Sequence, residues 1–232
     1  MNTNSNNYTL IYALVMVVIV ALLLALVSSG LKDIQNKNIE LDKKKQILKS
    51  LKLNLDNQNV DSLYNTIIVK ELILNSDAKV LSDAKGDAFA IDINKENAKE
   101  LSARNLPVYV ALVQGATKYI VPVRGAGLWG PIWGFVALNE DKNTVFGTFF
   151  SHQSETPGLG AEISLPMFQD LFIGKKILND ANDFVSIAVM KVGQTAKGQE
   201  QVDAISGGTI TCKGVELMLL SSLGQYENFF KQ

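Results

Sequence analysis

The chain has 232 residues, 47% of them hydrophobic, with 22 Lys and Arg against 23 Asp and Glu and a formal net charge of −1. That length supports one packed domain plus an appendage, and the balanced charge offers no basic field for nucleic acid. A single cysteine, Cys212, excludes an internal disulfide, and with one histidine, His152, a metal site built mainly from Cys and His is nearly excluded too.

Residues 1–9, MNTNSNNYT, contain no Lys or Arg, and residues 10–27 form an unbroken run of 18 apolar residues. Taken as a helix over 10–31, this segment is long enough to cross about 30 Å of hydrocarbon. The uncharged start and the length of the run favour a retained transmembrane anchor over a cleaved signal peptide. Lys32, Lys37, Lys43, Lys44 and Lys45 follow the span, and the positive-inside rule counts them towards a cytoplasmic C-terminal domain. Residues 32–58 place Ile34, Ile39, Ile47, Leu48 and Leu51 at partly helical spacing, which fits a helical stalk or a solvated linker.

The remainder, 59–232, has an α+β pattern. TIIVKELILN (66–75) and AFAIDI (88–93) have the composition of short strands, and INKENAKELSARN (93–105) is a short helix candidate. PVYVALV and KYIVPV flank the turn QGAT, and IWGFVALN and TVFGTFFS flank EDKN, so two hairpins are expected between 107 and 151. SLPMFQDLF (164–172) predicts a short helix capped by Ser164, FVSIAVMKV (184–192) a strand, and residues 209–230 a closing helix. The expected architecture is α+β: an N-terminal transmembrane helix, then a bent antiparallel sheet with helices packed on it.

Three segments could carry chemistry. SGGT (206–209) opens the last helix, where unpaired N–H groups favour an anion and Thr209 offers a hydroxyl; the plain alternative is a turn with Ser206 or Thr209 as the cap. RGAGLWGPIWG (124–134) holds four glycines and two tryptophans, suited either to stacking on a flat ligand or to a turn with both indoles in the core. SHQSETPGLGAEI (151–163) contains His152 and Glu155; a hydrolase would use the first as base and the second to orient it, although no G-x-S-x-G elbow supports that chemistry.

The three segments, in this order behind an N-terminal anchor, resemble one family. DAISGGT (203–209) is similar to the D-G-x-[S/T]-G-A-T mark of the FMN-binding C subunits of Na+-translocating NADH:quinone reductases, with Ala204 for the usual glycine and Gly208 for the usual alanine. GLWGPIWG and H-x-x-ETPGLG are similar to the same family. The related G subunit of RNF complexes has a like domain, and a membrane-anchored interaction module without redox chemistry is a further reading. The resemblance implies an FMN-binding domain with FMN joined to Thr209 through a phosphoester. Asp203, Ser206, Gly207 and Gly208 would shape the attachment loop, and Leu128, Trp129, Thr156, Gly158 and Leu159 would surround the flavin. It also implies the other subunits of the complex and a flavin transferase as partners, and a single-pass protein of the cell inner membrane. The domain would then be periplasmic, against the lysine count, because a large domain translocates whatever its flanking charge.

Overall fold

The computed structural model describes residues 5–232. One helix, α1 (Asn6–Ser50), runs from the apolar stretch through the lysine-rich segment without a break. The expected boundaries therefore shift. Residues 6–9 belong to the helix rather than to a tail, and nothing separates span from stalk at residue 31, since the sequence there contains no proline to interrupt the backbone ladder. The chain divides into two compact units that meet within α1, the first ending at Lys43 and the second running from Lys44 to Gln232. In the first, the apolar run lies entirely in one exposed helix, long and apolar enough to cross a membrane.

The second unit is built on a six-stranded antiparallel sheet. Its strands are β1 (Ile68–Leu74), β2 (Val80–Ser82), β3 (Leu106–Val113), β4 (Ala116–Ala126), β5 (Pro131–Leu138) and β6 (Val145–His152), in the order β2-β1-β3-β4-β5-β6. Both expected hairpins are present: Val113 pairs with Ala116 across the first, and Leu138 with Val145 across the second. Two further strands, β7 (Ile187–Met190) and β8 (Glu200–Asp203), pair in parallel. The closing helix is interrupted: α6 (Thr209–Gly224) gives way at Gln225 and Tyr226 to the single turn α7 (Glu227–Phe230).

Both faces of the sheet are covered. On one, Cys212, Val215, Met218, Leu219 and Leu223 of α6 pack with Val121, Val123, Ile132, Val136 and Phe150. On the other lie the buried end of α1 (Ile47 and Leu48), Tyr64 of α2 (Val60–Ile67) and Ala88 of α3 (Asp87–Ala90). There Trp133 Nε1 donates to Gln46 Oε1 (3.2 Å), and the Tyr109 and Phe135 rings meet edge to face at 6.2 Å. The compact unit thus begins at Lys44, inside the segment expected to be stalk, because Ile47, Leu48 and Leu51 find an apolar surface to cover.

The same face explains why AFAIDI is not a strand. The buried Glu71 carboxylate accepts from Tyr64 Oη (3.0 Å), Gly86 N (3.0 Å) and Phe89 N (3.1 Å), so it draws the 86–89 backbone into the turn of α3. Burial, reinforced by the Glu71 charge, pushes the Tyr64 phenol far above its ordinary value, so it stays a neutral donor. The helix expected over 93–105 is only α4 (Ile93–Asn97), followed by a separate turn at Leu101–Ala103. Ser164 is not a helix cap: Leu165 precedes α5 (Pro166–Gln169), and the Ser164 hydroxyl donates to Ala161 O (2.8 Å).

What positions the site is the close seat of α6 on β4. A Cβ at Gly214 would overlap the Ala126 carbonyl oxygen, so only glycine lets the helix backbone lie against the strand end. Past the Tyr109–Ile120 pair β3 no longer covers β4, and Ser222 Oγ takes over at Arg124, accepting from its N–H (3.0 Å) and donating to its carbonyl (3.2 Å).

Candidate functional site

Three chain segments converge at the start of α6. The 126–130 turn leaves the end of β4, residues 155–160 follow β6, and residues 205–211 lead from β8 into the helix. Together Leu128, Trp129, Glu155, Thr156, Leu159, Gly160, Gly207, Gly208, Thr209, Ile210 and Thr211 line a cleft of about 230 Å3. That is below the roughly 300–1,000 Å3 of enclosed small-molecule sites, so a ring system held here would lie against the surface rather than inside the domain.

Seven of the ten residues that the resemblance assigns to the flavin line this cleft: Leu128, Trp129, Thr156, Leu159, Gly207, Gly208 and Thr209. Gly158 stands beside them, its φ of +76° turning the loop, and its N–H donates to Glu162 Oε1 (2.9 Å). Ser206 is exposed in the turn before Gly207. Asp203 faces elsewhere: it lines a separate apolar cleft of about 250 Å3 with Leu165, Met167, Phe168 and Leu171.

Thr209 is the first residue of α6 and is exposed. The N-cap is Gly208, and no side chain caps the helix, which departs from both candidates, Ser206 and Thr209. The first-turn N–H groups of a helix have no partner within it, so those of Thr209, Ile210 and Thr211 form the positive end of a 16-residue helix beside an accessible hydroxyl. Gly207 takes φ +77°, open to glycine at little cost, and a Cβ there would strike Leu159. Around the hydroxyl, Leu128 (47% exposed), Trp129 (66%), Leu159 (42%) and Ile210 (60%) present apolar surface to solvent. Trp129 is therefore not a core residue; Trp133 is the indole that packs on the covered face of the sheet.

Glu155 is the residue whose role the sequence did not disclose. Its side chain does not orient His152, so the hydrolase arrangement does not form. Instead the Glu155 backbone N–H donates to His152 Nδ1 (3.1 Å), while the carboxylate turns inward and accepts from Trp129 N (2.8 Å) and Thr211 Oγ1 (2.6 Å). A Cβ at Gly127 or Gly160 would overlap its oxygens. One carboxylate thus ties together all three segments of the cleft. The available signal was an acid set among small and apolar residues in SETPGLG; its partners lie 26 and 56 positions away, beyond any local pattern.

The donor set suits a flavin mononucleotide: an accessible hydroxyl and free helix N–H groups for the phosphate, and exposed apolar walls for the ring. Fold and cleft define an FMN-binding domain, and the FMN-binding domain family matches residues 127–223. The C subunit of the Na(+)-translocating NADH-quinone reductase of Haemophilus ducreyi is 35% identical over 231 residues, covering 93% of this chain and 88% of its own. That of Pseudomonas aeruginosa is 33% identical over 97% and 94%. The crystal structure of the C subunit from Parabacteroides distasonis superposes with a TM-score of 0.80 at 45% identity, covering 87% of this chain and 98% of that one. The chain belongs to the family of C subunits of the Na(+)-translocating NADH-quinone reductases.

Proposed function

We propose that this chain carries FMN joined to Thr209 Oγ1 by a phosphoester and relays electrons within a Na+-translocating NADH:quinone reductase of the cell inner membrane. The observation that carries the reading is the exposed Thr209 hydroxyl at the open N-terminus of α6, on the rim of a cleft walled by exposed apolar side chains. Bound FMN supplies reversible electron acceptance and donation; the protein supplies position and tuning. Thr209 would fix the phosphate through the ester bond, at the end of α6 where the first-turn N–H groups have no partner within the helix. Gly207 and Gly208 keep side chains away from it. Leu128, Trp129 and Leu159 offer the ring an apolar bed and shield one side from water, with Thr156 and Gly158 shaping the loop beneath. Ser206, exposed in the turn before Gly207, and Asp203, exposed at the end of β8, are the polar handles by which a flavin transferase engages the segment leading into α6. Residues 10–31 span the membrane, and the folded unit meets the other subunits on the periplasmic side.

Co-expression with a flavin transferase, followed by denaturation, tests this. The expected result is flavin that stays with the chain and maps to Thr209. Flavin released on denaturation overturns the covalent link, and a chain that never takes up flavin overturns the reading altogether.

A further inference from the structure

We propose that Glu155 is the positioning residue of the flavin cleft, its buried charge occupying the positive end of α6 so that the covalent bond, rather than the helix field, holds the phosphate. The inference rests on the reading that FMN sits at Thr209. Glu155 is only 5% exposed, and a buried carboxylate is expensive unless compensated. It takes no part in the ion pairs found among the described residues. Its compensation is the Trp129 N–H, the Thr211 hydroxyl and the end of α6, where Thr211 is the third residue. A helix N-terminus carries roughly half a positive charge, and Glu155 already draws on it.

Two consequences follow from the sign of that charge. A phosphate arriving at Thr209 meets a helix end partly neutralised, so free FMN is held weakly and the tether secures what the field does not. A fixed negative charge at the floor of the cleft also disfavours adding electrons to a ring above it, which lowers the reduction potential. Glu155 additionally sets geometry, because Trp129 N–H and Thr211 reach the same carboxylate and the apolar loop is thereby registered against the helix.

Glu155→Gln separates charge from geometry. The amide oxygen can accept from Trp129 N–H while the amide nitrogen donates to Thr211 Oγ1. Thr211→Val does the reverse, loosening the contact while keeping the charge. The full-length chain is purified in detergent, and two readings are taken. In a Thr209→Val background, free FMN is titrated by fluorescence quenching; Glu155→Gln should tighten binding on the order of tenfold, the scale of one charge–charge interaction in a partly exposed site. In the tethered protein, Glu155→Gln should shift the oxidised–reduced equilibrium of the flavin by a similar factor, raising its two-electron potential by about 30 mV. Thr211→Val, which loosens the tie between loop and helix but keeps the Glu155 charge, should change affinity and potential by much less than Glu155→Gln does. Equal affinity and equal potential with and without the Glu155 charge overturn the inference, as do equal changes in the Gln and Val variants, which would make Glu155 a purely structural tie. An adduct mapped to a residue other than Thr209 overturns the reading of the site itself, and this inference with it.

Discussion

Thr209 and Thr211 lie two residues apart in the first turn of α6 and meet opposite surroundings: Thr209 is exposed on the rim of the cleft, whereas Thr211 is 2% exposed and donates to Glu155 Oε2 at 2.6 Å. The two hydroxyls therefore answer to substitution in opposite ways. Thr209→Ala should abolish the flavin adduct yet change stability by less than about 0.5 kcal/mol, as for a surface site. A cost of about 1 kcal/mol, expected of a lost N-cap, does not arise, because Gly208 holds that position and no side chain caps the helix. Thr211→Val should leave the adduct on Thr209 and destabilise the fold by about 1–3 kcal/mol, since a buried carboxylate oxygen loses its donor. Peptide mapping with denaturant titration checks both. An adduct on Thr211 or Ser206, or a stable Thr211→Val, would contradict the assignment.

Trp129 makes the next test. Its side chain is 66% exposed, and its structural contacts are made by the backbone: the N–H to Glu155 and the carbonyl oxygen, which accepts from Ser154 Oγ (2.8 Å). Trp129→Ala should leave the melting temperature nearly unchanged and keep FMN attached. It should alter flavin fluorescence or potential, since a ring contact contributes about 0.5–1.5 kcal/mol beyond buried area. Unchanged flavin spectra and potential in the folded variant would show that the indole does not reach the ring.

The sequence was most informative where a signal is local. Both hairpins of the sheet were legible from alternation and from the QGAT and EDKN turns, because a hairpin is specified by neighbours in the chain. AFAIDI misled for the complementary reason: its alternation is real, but Glu71, from an earlier strand, captures the Gly86 and Phe89 N–H groups and winds the segment into α3. The parallel pairing of β7 with β8 left no mark either, since its register is set by packing under α6 and not by a turn. At the site, SGGT announced the start of α6 and GLWG an exposed apolar loop. The knot that joins them, Glu155 to Trp129 and Thr211, is tertiary and so was invisible. Ile47 and Leu48 looked like parts of a stalk because the surface they cover belongs to β strands nearly a hundred residues on.

Gly214 tests how tightly the cleft depends on the seat of α6. The overlap that a Cβ would make is with backbone, the Ala126 carbonyl, and the Gly127 Cα lies close by, so no flexible side chain can yield. Gly214→Ala should cost about 1–3 kcal/mol as an overpacked contact, even though alanine favours helix by about 1 kcal/mol over glycine. By moving the helix start relative to Leu128 and Trp129, it should also reduce the fraction of chain carrying flavin. Denaturant titration and the flavin-to-protein ratio read the two effects; a variant as stable and as fully flavinylated as the parent would show that α6 tolerates displacement.

The orientation of the anchor sets two arguments against each other. Lys32, Lys37, Lys43, Lys44 and Lys45 follow the apolar run, and none precedes it, so a count of flanking lysines keeps the folded unit in the cytoplasm. That rule is strongest for short loops, whereas here the run is followed by a unit reaching from Lys44 to Gln232, and domains of such size translocate largely regardless of charge. The continuity of α1 adds that several of these lysines sit on a helix continuing from the span and not in a compact loop against it. We therefore expect a C-terminal reporter that works only in the periplasm to be active and one that works only in the cytoplasm to be silent. Replacing the lysines at 32, 37 and 43 by glutamine should leave that pattern unchanged. The reverse pattern in the parent chain would put the folded unit inside and restore the lysine count as the deciding term.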